Sequence, residues 1–168
     1  MRGSFQSSIR LLAFVLVLAS TILRAEETYP KGPDLSITPG ALCDTPNEFR
    51  YPEKIPYCER AVSTATKWDV IDTYESKGYD VRKYNRVEFK IDHLIPLCAG
   101  GANDESNLWP QHRTLYEKTD EIEAVLCQVM AADKISQTSA VTLIIEVKVH
   151  PETAIDVLAN LKQKLEHR

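Results

Sequence analysis

The sequence predicts a small α+β domain, and three observations carry that prediction. Val87, Phe89 and Ile91 alternate with Glu88, Lys90 and Asp92, the two-residue period of a half-buried strand. Leu115, Thr119, Ile122, Leu126 and Met130 recur at steps of four and three, the apolar stripe of an amphipathic helix. Between them lies Ile91 to Gln111, IDHLIPLCAGGANDESNLWPQ, whose prolines and paired glycines punctuate the chain as a loop.

Residues 1–25 read as an export signal. Arg2 and Arg10 are followed by an apolar run of 13 residues, Leu11 to Leu23, too short to span a bilayer comfortably. Cleavage after Ala25 or after Ala19 fits the small-residue rule, and a retained anchor is the alternative. Removal to Ala25 leaves 143 residues, enough for one domain with its own core, expected to be secreted or periplasmic and monomeric. Residues 26–56 hold six of the nine prolines and are expected to run extended over the surface. The domain proper is 57–168.

Within it, Ser63 or Thr64 caps a helix that places Ala65, Trp68, Ile71 and Tyr74 on one face and stops at Gly78. That aromatic stripe is assigned to the core. The alternating strand follows, and then the long amphipathic helix, with Glu117, Asp120, Glu121 and Glu123 largely off its apolar stripe. Ser136 to Val149 is rich in β-branched residues and fits a strand, but Ala140, Leu143, Ile144 and Val147 also fit a helix capped by Ser136, the favoured reading. A last helix opens on Pro151 and buries Ala154, Val157, Leu158, Leu161 and Leu165.

Charge excludes capture of a polyanion by a general positive field. The chain beyond Ala25 carries 17 basic and 24 acidic residues, a net charge of −7. A local strip remains: Arg82, Lys83, Arg86 and Lys90 lead into the central motif, and His112 with Arg113 follows it. These side chains either hold phosphates or are simply solvated. Cys43, Cys58, Cys98 and Cys127 form no CxxC pair, which argues against a zinc knuckle, and an even count in an oxidising compartment suggests disulfides over buried thiols. No HExxH helix or GxSxG elbow is present.

The chemistry concentrates in the central motif. Asp92 and His93 are neighbours, so on a strand they face opposite ways and serve one site only where the strand ends. Pro96 and Gly100-Gly101 supply that ending. A carboxylate suits a hard cation, and a neutral imidazole takes a proton near neutral pH. Asn107, 14 residues after His93, carries an amide able to accept and donate together.

The order DH, PL, GG, N and NLWPQ resembles the HNH endonucleases with the ββα-metal (His-Me finger) fold, particularly small secreted bacterial members. The resemblance is strongest over Arg86 to Asp120 and extends weakly from Tyr57 to Lys134. It implies a ββα-metal core with additional packed helices, His93 as general base, Asp92 as metal ligand and Asn107 as the residue that orients the base. It also implies one divalent ion, Mg²⁺ first with Mn²⁺, Ni²⁺ or Zn²⁺ as alternatives, and a nucleic-acid substrate, DNA ahead of RNA, cut to leave 5′-phosphates. Arg86, Lys90 and Arg113 become the candidate phosphate contacts.

One departure stands out. Where such proteins commonly finish the motif with a histidine or asparagine, nine residues past Asn107, this chain has Tyr116. Glu117 is the favoured second ligand and His112 its rival. Of three possible disulfide pairings, Cys43 with Cys58 and Cys98 with Cys127 is favoured, the second tying the turn to the helix that follows. The competing reading is a secreted HNH-like binding or structural module without catalysis, with Tyr116 as its support.

Overall fold

A computed structural model describes residues 28–166 as an α+β fold with two small antiparallel sheets. The expected signal segment, 1–25, lies outside the described residues. The proline-rich segment is more structured than its composition suggests: β1 (Glu48–Arg50) pairs with β2 (Ile55–Tyr57). Three-residue strands, one of them containing Pro56, leave no readable alternation. The segment is also fastened to the central motif. Gly40 N donates to Ser106 O at 2.8 Å, Cys43 N to Gly100 O at 2.8 Å and the Thr38 hydroxyl to Leu108 O at 3.0 Å.

Helix α1 (Thr64–Ser76) is capped by Ser63, whose hydroxyl accepts from Thr66 N at 3.0 Å. It buries Val70 and Tyr74, whereas Trp68 is 37% exposed, which corrects its assignment to the core. Strand β3 (Phe89–His93) begins later than the alternation implies, because Arg86–Glu88 form a 3-10 turn capped by the Asn85 side chain. It pairs antiparallel with β4 (Leu108–His112), bringing Asp92 opposite Trp109 and His93 opposite Leu108. Pro110 sits within β4. A two-stranded sheet leaves each strand an unpaired edge, so the missing proline N–H is tolerated.

Helix α2 (Arg113–Ala131) buries Leu115, Thr119, Ile122, Leu126 and Met130, as the stripe requires. Ser136 to Val149 is helical: α3 (Gln137–Val149) is capped by Ser136. A 3-10 turn over Pro151–Thr153 leads into α4 (Ala154–Glu166). One core joins the faces of α2, α3 and α4 to Ile55, Ile95 and Ala99. A second, built on Val70, Tyr74, Leu94, Leu108, Trp109 and Leu115, seals α1 against the β3–β4 hairpin. Among the described residues no helix is long and apolar enough to cross a membrane.

Disulfides join Cys43 to Cys58 and Cys98 to Cys127. The second clamps the loop after β3 to α2 across a separation of 29 residues. Replacing both Cys98 and Cys127 with Ser is expected to lower unfolding free energy by about 3–4 kcal/mol, read from urea denaturation, because the unfolded chain regains that loop's freedom.

The loop from Leu94 to Asn107 turns on its glycines. Gly100 adopts φ 86, and a Cβ on Gly101 would lie 1.8 Å from the Ile95 carbonyl oxygen and 2.9 Å from Asn107 Nδ2. Gly101→Ala is therefore expected to pry Asn107 from the loop. A fall in the thermal midpoint larger than for Gly78→Ala, where the added methyl meets open space, is the check.

Candidate active site

Strand pleating sends Asp92 and His93 to opposite sides of the end of β3, and each meets different partners. Asp92 turns toward α2 and α3. Its Oδ2 lies 2.9 Å from the Nζ of Lys148, which is wholly buried at 0% side-chain exposure. The same ammonium is 2.6 Å from Glu123 Oε1, and it donates to the backbone oxygen of His93. Lys90 Nζ stands 3.5 Å from the other Asp92 oxygen and 2.6 Å from Asp120. Burial pushes the Asp92 carboxyl up, but Lys148 and then Lys90 outweigh it, so its pKa lies below the ordinary value. Burial pushes the Lys148 ammonium down; Glu123 and Asp92 reverse this and hold it charged. Burial pushes the Glu123 carboxyl above its ordinary range, with Lys148 compensating only in part and the Asp92 charge adding to the rise.

His93 turns toward the loop and is 3% exposed. Its Nε2 lies 3.1 Å from Asn103 Oδ1. Asn103 Nδ2 donates to Glu59 O at 2.7 Å, and its Oδ1 already accepts from Ala61 N at 3.2 Å. That network assigns the Nε2 proton to the donor role toward Asn103 and leaves the lone pair on Nδ1. Burial lowers the imidazole pKa below its ordinary value; the Asn103 hydrogen bond opposes this and the Arg60 charge reinforces it. A neutral ring with one basic nitrogen results.

Asn107 does not touch the ring. Its Oδ1 accepts from Ile95 N at 2.9 Å, while Nδ2 donates to Ile95 O at 3.0 Å and Ala102 O at 2.9 Å. Its own carbonyl accepts from Leu94 N at 2.7 Å. It thus fixes the backbone that leaves His93, and the ring-orienting contact expected of it belongs to Asn103.

The other expected ligands lie elsewhere. His112 is three register steps from Asp92, opposite Phe89; it caps α2 through Nδ1 and stacks on Tyr29 at 4.1 Å between ring centroids. Glu117 and Arg113 are exposed on the first turns of α2. Tyr116 lies under Lys90, whose Nζ is 4.9 Å from the ring centre. Among the described residues no three His, Cys, Asp or Glu side chains form a group able to hold a metal ion. The carboxylates of Asp92 and Glu123 do converge, but on the Lys148 ammonium. In this arrangement the residues do not fit a divalent ion, because a lysine fills the position between the two acids.

Against the first residues of β3, Phe89 to Ile91, is a cavity of about 510 Å³ lined by five cations, Arg60, Lys67, Arg82, Arg86 and Lys90, and by the rings of Trp68, Tyr84 and Phe89; Asp92 and His93 do not line it. Arg82 is neutralised by Asp72 and Glu75, and Lys90 by Asp120. Among the described residues Arg60, Lys67 and Arg86 have no carboxylate partner. Arg60 also donates to Ile91 O at 3.2 Å, which places the cavity against the strand that carries His93. Of the expected phosphate contacts, Arg86 and Lys90 line the cavity and Arg113 does not.

No protein-family model, no curated protein and no solved structure matches the chain. Four residues of the site were given no role in it from the sequence: Asn103, Glu123, Lys148 and Arg60. Asn103, in the GGAN string, was the most accessible of them; the others are isolated charges whose partners come from distant elements.

Proposed function

We propose that the protein is a secreted phosphodiester hydrolase of the HNH type, acting on nucleic acid, with the β3–β4 hairpin and α2 as its ββα core. The observation that carries this reading is the neutral, anchored imidazole of His93 at the end of a strand flanked by a basic, aromatic cavity. Two disulfides are compatible with export.

In the proposed reaction His93 Nδ1 takes a proton from water, whose oxygen attacks phosphorus. The bond from phosphorus to the 3′ oxygen breaks, and that oxygen takes a proton from solvent, leaving a 5′-phosphate. Arg60, bonded to the Ile91 carbonyl two residues before His93, supplies positive charge to the phosphate. Arg86 and Lys67 hold neighbouring phosphates, and the exposed Trp68 offers a surface for an unpaired base. DNA remains the first substrate and RNA the second.

Binding has a direct readout. Trp68 and Trp109 are the only tryptophans, and Trp109 is fully buried. A short oligothymidylate is expected to quench Trp68 emission. Arg86→Glu and Lys67→Glu are expected to weaken that binding and to reduce its salt slope by roughly 1 per lost phosphate contact. Unchanged emission at saturating oligonucleotide, or unaltered salt dependence in both variants, contradicts the cavity's role.

The second reading, a nucleic-acid-binding module without hydrolysis, draws on the 3% exposure of His93 and on the engagement of Asp92 by Lys148. Binding without strand scission in the wild type identifies it.

A further inference from the structure

We propose that Lys148 is an internal cation standing in the place of the divalent ion that an HNH-type turn would hold. The inference rests on the HNH-type reading only for what the position would otherwise contain; the geometry of the position is independent of it.

Three oxygens converge there: Asp92 Oδ2 at 2.9 Å, Glu123 Oε1 at 2.6 Å and the backbone oxygen of His93. They come from the end of β3 and from α2, the two elements that a metal in a hairpin-helix site would bridge. The ammonium donates to Asp92 Oδ2 and to the His93 backbone oxygen and pairs in charge with Glu123. The side chain that reaches them belongs to α3, is wholly buried, and interrupts a helix face otherwise lined by Ala140, Ile144 and Val147. A lysine is not placed in an apolar core without charged partners to hold it. The Glu123 oxygen, at 2.6 Å, makes a close ion pair with the ammonium.

Two consequences separate this arrangement from a metal centre. The cation is covalently part of the chain, so the end of β3 is fixed without any ion from solution. It also carries one charge where a divalent ion carries two, shared between the Asp92 and Glu123 carboxyl groups. Lys148 is thus a positioning residue: it holds the Asp92 carboxylate and the His93 backbone while touching no substrate.

The test is metal binding, measured apart from any hydrolysis. Wild-type protein treated with chelator and titrated with Mn²⁺ is expected to take up no tightly bound ion by electron paramagnetic resonance, and its thermal midpoint is expected not to move. Lys148→Ala vacates the three-oxygen position and is expected to acquire one saturable Mn²⁺ per chain with a rise in midpoint. Adding Asp92→Asn to that variant is expected to abolish the uptake. One tightly bound Mn²⁺ in the wild type that Asp92→Asn releases would overturn the proposal, as would a folded Lys148→Ala that gains no site. If Lys148→Ala does not fold, the wild-type titration with its Asp92→Asn control decides alone. Loss or absence of nuclease activity bears on the previous reading and leaves this result intact.

Discussion

Lys148→Met is expected to cost the fold about 3–5 kcal/mol, the penalty for removing one partner from a buried ion group and leaving the others uncompensated. Methionine keeps the length and the apolar stem of lysine, so little packing is lost. What is lost is the charge between Asp92 and Glu123 and the proton donated to the His93 carbonyl. Asp92 then keeps only Lys90, at 3.5 Å, and Glu123 loses its ion-pair partner. Chemical denaturation of the wild type and variant near neutral pH measures the difference. The triple change that also carries Asp92→Asn and Glu123→Gln is expected to recover part of it, since neutral amides leave no unpaired charge behind. A Lys148→Met variant as stable as wild type would show that the ammonium is not held by these acids.

His93→Ala is expected to remove on the order of 10²–10⁴-fold in kcat/KM toward nucleic acid, the usual contribution of a general base. Asn103→Ala is expected to act in the same direction but less, because it frees the ring while leaving it present. The pH dependence separates the two. Burial, with Arg60, depresses the His93 pKa below the ordinary 6.5, so the basic form persists below neutrality and activity falls on the acid side only under 6.5. Asn103 raises that pKa, so its removal is expected to move the acid limb further down. Stability follows the same sign. A depressed pKa means that the unfolded chain takes the proton first; the neutral ring's contribution is complete above 6.5 and is lost as pH falls through the folded value. His93→Gln should therefore narrow its stability gap to wild type as the medium is acidified.

The sequence disclosed elements with long regular spacing and concealed those that depend on contacts between elements. The stripes on α2 and α4 were legible because burial of one helix face imposes a period that no loop imitates, whereas α3, rich in β-branched residues, also fitted a strand and was favoured as a helix by its Ser136 cap. Strand β4 was not, since Pro110 is a breaker in any local reading and is tolerated only because the sheet has two strands. In the site, Asp92, His93 and Asn107 stood out as a cluster in sequence. Lys148 is 56 positions from Asp92 and sits between two valines, where it reads as an ordinary charge on a helix. Glu123 was placed off the stripe with its acidic neighbours, although it flanks buried Ile122 and turns inward to Lys148. Trp68 obeyed helical spacing yet lies at the rim of α1's buried face, beside a cavity that residues 81–91 complete.

The most direct measurement is cleavage of a 3′-labelled single-stranded oligonucleotide and of plasmid DNA by the mature protein, beside His93→Ala, in chelator and with Mg²⁺, Mn²⁺ or Zn²⁺. Fragments bearing 5′-phosphate are expected from the wild type and not from His93→Ala, with the two proteins equally folded by circular dichroism. Intact DNA and RNA under every condition, or equal cutting by both proteins, would contradict His93 as the base of a phosphodiester hydrolase.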